Sequence, residues 1–254
     1  MSFVIGFLAG FFGGLVGLGG GVIMIPLMVG IIRLDQHSAH GTSLVALVFT
    51  GISGAIAYSV KGSVDVPAAV LVAAPAIVTA RAGAHFAHAL AAWKLKRAFG
   101  GFLVFASLLI LSKSYLPHIA AVDNGWPRIA LLLATGVSAG FLSGMMGVGG
   151  GTIMVPAMVL LLGFGQHTAQ GTSLLAMVPA GASGAYTHGK LGNIAKNLLP
   201  GLIPGILIGT YLGGTLAHVL AANVLRFIFA SILAWIGMRY LMTKRPASSP
   251  PRNL

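Results

Sequence analysis

Gly10-Phe11-Phe12-Gly13-Gly14-Leu15-Val16-Gly17-Leu18-Gly19-Gly20-Gly21-Val22-Ile23-Met24-Ile25-Pro26 is followed later in the chain by a near copy, residues 140–156, from Gly140 to Pro156. The offset of 130 also turns Gln36-His37-Ser38-Ala39-His40-Gly41-Thr42-Ser43-Leu44 into Gln166-His167-Thr168-Ala169-Gln170-Gly171-Thr172-Ser173-Leu174. Gly51-Ile52-Ser53-Gly54-Ala55 returns as Gly181-Ala182-Ser183-Gly184-Ala185, again without a gap. Gly62 and Gly192, Gly83 and Gly213, His88 and His218, and Lys96 and Arg226 pair in the same way. A unit this long, duplicated in a chain this apolar, predicts a membrane protein built from two homologous halves, an arrangement typical of transporters.

Composition sets the class. Of 254 residues, 57% are hydrophobic and 7% charged, against about 25% charged in soluble domains. Such a chain cannot cover a water-facing surface. Its apolar runs are long rather than short and alternating, so the spans are helices and not barrel strands. The expectation is an all-α integral membrane protein. No basic leader with a small-residue cleavage site precedes the first span, so no cleaved signal is expected. The absence of cysteine excludes disulfides, thiol catalysis and Cys-ligated metals.

The net charge of +12 comes from 15 Lys and Arg against Asp35, Asp65 and Asp123. It fits a positive-inside bias and contact with anionic lipid, so the bilayer is the expected partner and nucleic acid is not. There is no Glu. A cation pathway usually needs intramembrane carboxylates, so an anionic or neutral solute is favoured.

Apolar stretches run over 3–32, 38–60, 66–84, 98–112, 128–163, 168–188, 198–217 and 222–243, four hydrophobic segments per half. The expected domains are a first transmembrane repeat (1–112), an inter-repeat loop (113–127), a second transmembrane repeat (128–243) and a basic cytoplasmic tail (244–254). Residues 85–97 read as an amphipathic connector.

The first segment of each half is broken by glycine, at residues 17–21 and 147–151. Each Gly costs about 1 kcal/mol against Ala inside a helix, and Pro26 and Pro156 follow. The pattern reads as half-helix, unwound loop, half-helix, which a membrane tolerates only where protein or a wet cavity satisfies the backbone. A broken segment that crosses makes the halves parallel; one that folds back makes them inverted. The positive-inside rule arbitrates. Eight crossings put nine of the 15 cations on the side of the termini. Folded-back hairpins put eleven there: Arg33, Arg81, Lys94, Lys96, Arg97, Lys190, Lys196 and the four C-terminal ones. Inverted repeats are therefore favoured, with a multi-pass chain in the cell inner membrane and both termini cytoplasmic.

Candidate substrate-binding residues follow from the repeats. Gly19, Gly20 and Gly21, with Gly149, Gly150 and Gly151, would expose backbone N–H groups at the start of a half-helix, whose positive dipole end attracts anions; close helix packing is the alternative. Gln36, His37, Thr42 and Ser43, with Gln166, His167, Thr172 and Ser173, open the second segment of each half. Helix capping would explain one such residue, but four recur. His37 and His167 could couple protons. His40 has no twin, because Gln170 stands in its place. Arg81 is either an interfacial arginine or a counter-charge for an anion. His88 and His218 read as interfacial, as do the aromatics Tyr58 and Tyr186. The methionines Met145, Met146, Met154 and Met158 read as core, a homodimer face being the other reading. No metal-ligand spacing or phosphate loop stands out, so no cofactor or metal is expected. Gly-x-Ser-Gly at Ser53 and Ser183 resembles the nucleophile motif of rhomboid-type intramembrane proteases, but two copies in duplicated halves read better as helix packing, and no enzyme is expected.

The Gly-x-Gly-Gly-Gly-x-x-x-x-Pro and Gly-Thr-Ser-Leu motifs, at residues 17–26 with 41–44 and at 147–156 with 171–174, resemble those of the sulfite exporter TauE/SafE family. The resemblance covers nearly the whole chain. It implies a multispan inner-membrane transporter associated with sulfite, sulfoacetate or related organosulfonates. It also implies that the Gly loops and the Gln36/His37 and Gln166/His167 helix starts are the motif positions. The expected function is secondary transport of small sulfur-containing anions by alternating access between the two repeats. An anion channel or a non-transporting membrane scaffold are the alternatives.

Overall fold

The computed structural model describes residues 1–89 and 125–243, with scattered positions between 93 and 111. Most of the expected inter-repeat loop (113–124) and the tail (244–254) lie outside the described residues, as do Lys94 and Lys96 and the side chains of Gln36 and His88. The described residues contain nine α-helices and no strand: α1 (Ser2–Val16), α2 (Gly21–Gly30), α3 (Gln36–Ser59), α4 (Val66–Ala89), α5 (Trp126–Met146), α6 (Gly151–Leu161), α7 (Gln166–Lys190), α8 (Leu199–Val219) and α9 (Ala222–Leu241). Five of them, α3, α4, α5, α8 and α9, are long and apolar enough to cross a bilayer. Two boundaries differ from expectation. Helix α4 runs on through Ala89, so residues 85–89 are helix rather than connector. Helix α5 begins at Trp126, because Pro127 suits the first turn, where its missing N–H is not needed.

Glycines spaced by four set the helix pairs. Gly6, Gly10 and Gly14 of α1 lie against the backbone of Leu202, Ile206 and Thr210 of α8. In the other half, Gly136, Gly140 and Gly144 of α5 lie against Val72, Ala76 and Ala80 of α4. Small residues in register let two helices approach to backbone contact, which stands in for the hydrophobic drive that lipid cannot supply. Numbers rise together along both pairs, so both pairs are parallel. The first helix of each half therefore packs on a long helix of the other half.

Helices α3 and α7 form the centre and run antiparallel: Gly51 lies against Leu174 and Val178, and Gly181 against Leu44, Leu47 and Val48. Helix α3 runs parallel to α8, with the Ser53 hydroxyl donating to Leu207 O at 2.7 Å and Tyr58 against Gly214. Helices α1, α3 and α8 thus point one way, and α2 must carry the chain back between α1 and α3. It does: Gly20 sits beside Ala9 and Gly13 of α1, so residues 17–20 reverse the chain and α1–α2 is a hairpin.

Two features of the loop after α2 carry predictions. Arg33 adopts φ 61°, and Gly163, at the same offset in the other half, adopts φ 68°. The left-handed region costs a side-chain-bearing residue roughly 1–2 kcal/mol. Arg33→Gly is expected to raise the thermal midpoint of the purified protein, by about 0.5–1 kcal/mol of stability after the flexibility cost of glycine. Asp35 caps α3, accepting from Ser38 N at 3.0 Å. The hydrogen bonds from the Ser38 side chain and amide hold the Asp35 carboxyl below its ordinary value. A depressed carboxyl contributes stability that is complete above its unfolded pKa near 3.9 and fades as pH falls through the folded value. Asp35→Ala should therefore cost about 1 kcal/mol at neutral pH. The difference from the unaltered protein should shrink below about pH 4 in pH-scanned thermal unfolding.

Candidate functional site

Residues 17–21 and 147–151 meet at the centre of the molecule. Helix α1 ends on Gly17 (φ 72°), whose N–H bonds Gly13 O, and α5 ends on Gly147 (φ 65°), whose N–H bonds Ser143 O. Gly19 and Gly149 repeat the left-handed turn at φ 86° and 84°. Only glycine takes these angles without strain, which is why the Gly-x-Gly pattern recurs. The two loops run side by side in opposite directions. A Cβ on Gly151 would strike Gly17 O, one on Gly21 would lie 2.5 Å from Gly147 O, and one on Gly149 2.8 Å from Leu18 O. Helices α2 and α6 both start at this crossing, so the N–H groups of Gly21, Val22, Gly151 and Thr152, which precede the first intrahelical bonds at Ile23 and Ile153, are gathered there.

The Gly-Thr-Ser residues fasten the crossing. The Ser43 hydroxyl reaches Gly147 O at 2.6 Å, and the Ser173 hydroxyl reaches Gly17 O at 3.0 Å. Each serine also lies near the carbonyl three residues earlier, His40 O or Gln170 O. Thr42 Oγ1 accepts from Ala195 N, and Thr172 Oγ1 accepts from Asp65 N, both at 2.9 Å. All four side chains are fully buried. They bridge between the halves and do not cap their own helices; Asp35 does that for α3. Above the crossing, Leu47 and its offset mate Met177 cover both loops: a Cβ on Gly149 would lie 3.0 Å from Met177 Sδ and 3.1 Å from Leu47 Cδ2. Gly19, Gly20, Gly21, Gly149, Gly150 and Gly151 are all buried beneath them.

The remaining candidates separate. Gln166 is buried, and its side-chain Nε2 finds no hydrogen-bond partner among the described residues. His37 is exposed, whereas its mate His167 is half-buried and its Nε2 lies 3.0 Å from Ala217 O. Arg81 donates from Nε to Ser183 Oγ at 3.0 Å, which ties it to α7 rather than to the loops. The Gly-x-Ser-Gly serines are spent on packing, Ser53 on Leu207 O and Ser183 on Ile77 O, each at 2.7 Å.

The structure also corrects one aromatic assignment. Tyr58 is not interfacial; it is fully buried. Its hydroxyl lies 3.0 Å from both Gly14 O and Gln170 Oε1, and Gln170 Nε2 donates to Val16 O at 3.1 Å. This chain of bonds holds the last turn of α1 just before the Gly loop. His218 is half-buried and packs its ring against Tyr58 (4.6 Å between centroids) and His167 (5.1 Å). Its Nδ1 lies 2.8 Å from Gly214 O, and its Nε2 has no hydrogen-bond partner among the described residues. The offset points to this network. It sets Tyr58 against His188, and His188 Nε2 lies 3.3 Å from Gly144 O, as the Tyr58 hydroxyl lies on Gly14 O. Matching like with like hides the pair, because one half uses a phenol where the other uses an imidazole.

Long apolar helices around two glycine breaks that meet at a buried crossing define a multi-pass membrane protein of the transporter kind. The sequence model of the family described as Sulfite exporter TauE/SafE matches residues 2–240; the chain belongs to this family. It is 29% identical over 214 residues to the probable membrane transporter protein YunE of Bacillus subtilis, covering 74% of this chain and 78% of that one. It is 30% identical over 174 residues to a probable membrane transporter protein of Xylella fastidiosa, covering 68% and 67%. Over 250 residues it is 26% identical to the probable membrane transporter protein YjnA of Bacillus subtilis, covering 94% and 98%. No solved structure matches. The chain is thus a member of a family of membrane transporters and not of enzymes.

Proposed function

We propose that this protein is a secondary transporter of small sulfur-containing anions, such as sulfite, sulfoacetate or related organosulfonates, in the cell inner membrane. The observation that carries the reading is the crossing of residues 17–21 and 147–151, where the N-terminal ends of α2 and α6 converge with no carboxylate among the lining residues. Two helix starts supply partial positive charge and unpaired N–H donors, which suit an oxyanion and reject a cation. Partial charges also hold an anion less tightly than a buried Lys or Arg, and release is as necessary to transport as binding.

In this reading the chain is an inverted repeat, with both termini cytoplasmic. The antiparallel α3 and α7 support it, as does the return of α2 alongside α1. The halves, residues 1–112 and 128–243, rock against each other to give alternating access. Leu47 and Met177 close the site and move aside when it opens. Ser43 and Ser173 exchange their loop carbonyls for the anion, Thr42 and Thr172 hold the halves in register, and Gln166 offers an amide donor. The stacked His167 and His218 carry the coupled proton on one side, and His37 serves on the other. Arg81 steers anions toward α7.

The test is uptake of sulfite and of a small sulfonate by the purified protein in liposomes, at two pH gradients, beside Ser43→Ala/Ser173→Ala. Saturable flux in the unaltered protein that falls by more than about tenfold in the double variant, about 1.4 kcal/mol, is the expected result. Flux proportional to concentration without saturation would identify a channel. No flux of any anion from correctly folded protein would sink the transport reading and favour a scaffold.

A further inference from the structure

Helices α2 and α9 enclose a cleft of about 300 Å³ at the edge of the molecule. Val22, Ile25 and Val29 line it from one side, and Trp235 and Ile236 from the other. Its polar groups collect at one end, where α9 finishes: Arg239, Tyr240 and Thr243. The Arg239 side chain is exposed, with its guanidinium carbon 5.5 Å above the Trp235 ring. Among the described residues it has no hydrogen-bond or ion-pair partner. A narrow recess that shares Val22 with the cleft is lined by Phe12, Gly20 and Ile232 and has only about 10 Å³ of free space.

From this cleft we infer a binding site for one anionic phospholipid, its phosphate on Arg239 and one acyl chain between α2 and α9. Three observations select this occupant. The cleft is amphiphilic along its length, one cation at the mouth and hydrocarbon behind it, which is the pattern of a lipid and not of a small solute. The inner recess holds no more than a single water, so the cleft is no path for the transported anion to the Gly loops. A second copy of the chain is poor in counter-charges for Arg239. Its carboxylates are only Asp35, Asp65 and Asp123; Asp35 caps α3, and Asp65 is engaged with Arg128 at 3.2 Å. Anionic headgroups, by contrast, attract basic residues at the end of a membrane helix, and Lys244 and Arg245 follow directly in sequence.

The site bears on the fold. Helix α2 is the returning arm of the first hairpin, only ten residues long and interrupted by Pro26. On its outer side it faces this cleft. A bound acyl chain fills the space and steadies the arm whose first turn forms half of the loop crossing. The lipid site does not depend on which solute is carried, nor on whether any is.

The experiment uses contact quenching of Trp235 in full-length protein carrying Trp93→Phe and Trp126→Phe, which leaves Trp235 as the one tryptophan of three. Phosphatidylglycerol with brominated acyl chains is titrated into phosphatidylcholine nanodiscs, beside brominated phosphatidylcholine. Half-maximal quenching is expected at about fivefold lower mole fraction of the anionic lipid. Arg239→Gln should bring the two curves together, and Arg239→Lys should keep them apart. Gly30 also lines the cleft, and a Cβ there meets nothing within 4 Å. Gly30→Leu should therefore fold normally while lowering quenching by both lipids. Equal curves in the unaltered protein, a preference that survives Arg239→Gln, or displacement by millimolar inorganic phosphate would overturn the proposal. So would weak quenching by both lipids in a protein that migrates as a dimer, which would assign the cleft to a second copy. The readout is fluorescence, so a failure of transport and a failure of lipid binding are told apart.

Discussion

Gly151→Ala is expected to leave little folded, active protein, although it adds one methyl group. The Cβ would strike Gly17 O. That oxygen is backbone and already accepts from the Ser173 hydroxyl, so it cannot swing aside as a flexible side chain would. The loops would have to part, and the hydroxyl bridge would part with them. Overpacking in a dense core costs about 1–3 kcal/mol, and loss of a buried hydrogen bond adds roughly 1 kcal/mol. The expected result is a thermal midpoint lowered by the equivalent of at least about 2 kcal/mol and flux below about a tenth of the unaltered value. Gly165→Ala is the control: it lies at the N-cap of α7 with φ −60°, and its nearest neighbour is Thr168 Oγ1 at 3.9 Å. Gly21→Ala, the mate of Gly151→Ala, should behave as Gly151→Ala does. Full stability in both would mean that the two loops do not meet.

The second large effect concerns Tyr58 and His218. Tyr58→Phe keeps the ring, and with it the contacts to His218, but strips Gly14 O and Gln170 Oε1 of their shared donor. A buried acceptor left without a donor costs about 1–3 kcal/mol, and here the loss falls on the last turn of α1 just before the Gly loop. Stability and flux should drop together. His218→Gln removes a titratable ring and leaves the Tyr58 hydroxyl bonds in place. The groups that face His218 are His167, Tyr58 and, at longer range, Lys61. In the proposed transport cycle the stacked rings of His167 and His218 carry the coupled proton. Between pH 5.5 and 8 the flux of the unaltered protein should vary with pH, and that of His218→Gln should be nearly flat at similar stability. A flux that keeps its pH dependence in both His218→Gln and His167→Gln would remove the stack from the coupling mechanism. Retained stability would still separate that outcome from misfolding.

The contrast between Tyr58 and the glycines bears on what a sequence can reveal. The glycine loops were legible because their constraint is local: positive φ at Gly17 and Gly19, and again at Gly147 and Gly149, is demanded by the backbone itself and leaves glycine in the text. Ser43, Ser173, Thr42 and Thr172 were legible as residues but not in role. Their recurrence marked them, and only the fold brought Gly147 O, Gly17 O, Ala195 N and Asp65 N, each 104 to 156 residues away, within reach. Tyr58 reads as interfacial in the sequence because a lone Tyr near the end of an apolar run looks the same whether it faces headgroups or a neighbouring helix.

By itself the sequence determined the helical membrane class, the family and the position of the two chain breaks. Those follow from composition, from the length of apolar runs and from backbone conformations that few residues tolerate, all of which act over a few turns of chain. The tertiary structure alone decided that α1 packs on α8 and α5 on α4, that α2 turns back beside α1, and that the two loops cross with their carbonyls caught by serines from α7 and α3. Those are pairings between segments far apart in the chain. In lipid they are selected by close backbone approach and by hydrogen bonds that must be made somewhere, and neither leaves a mark on one segment that names its partner.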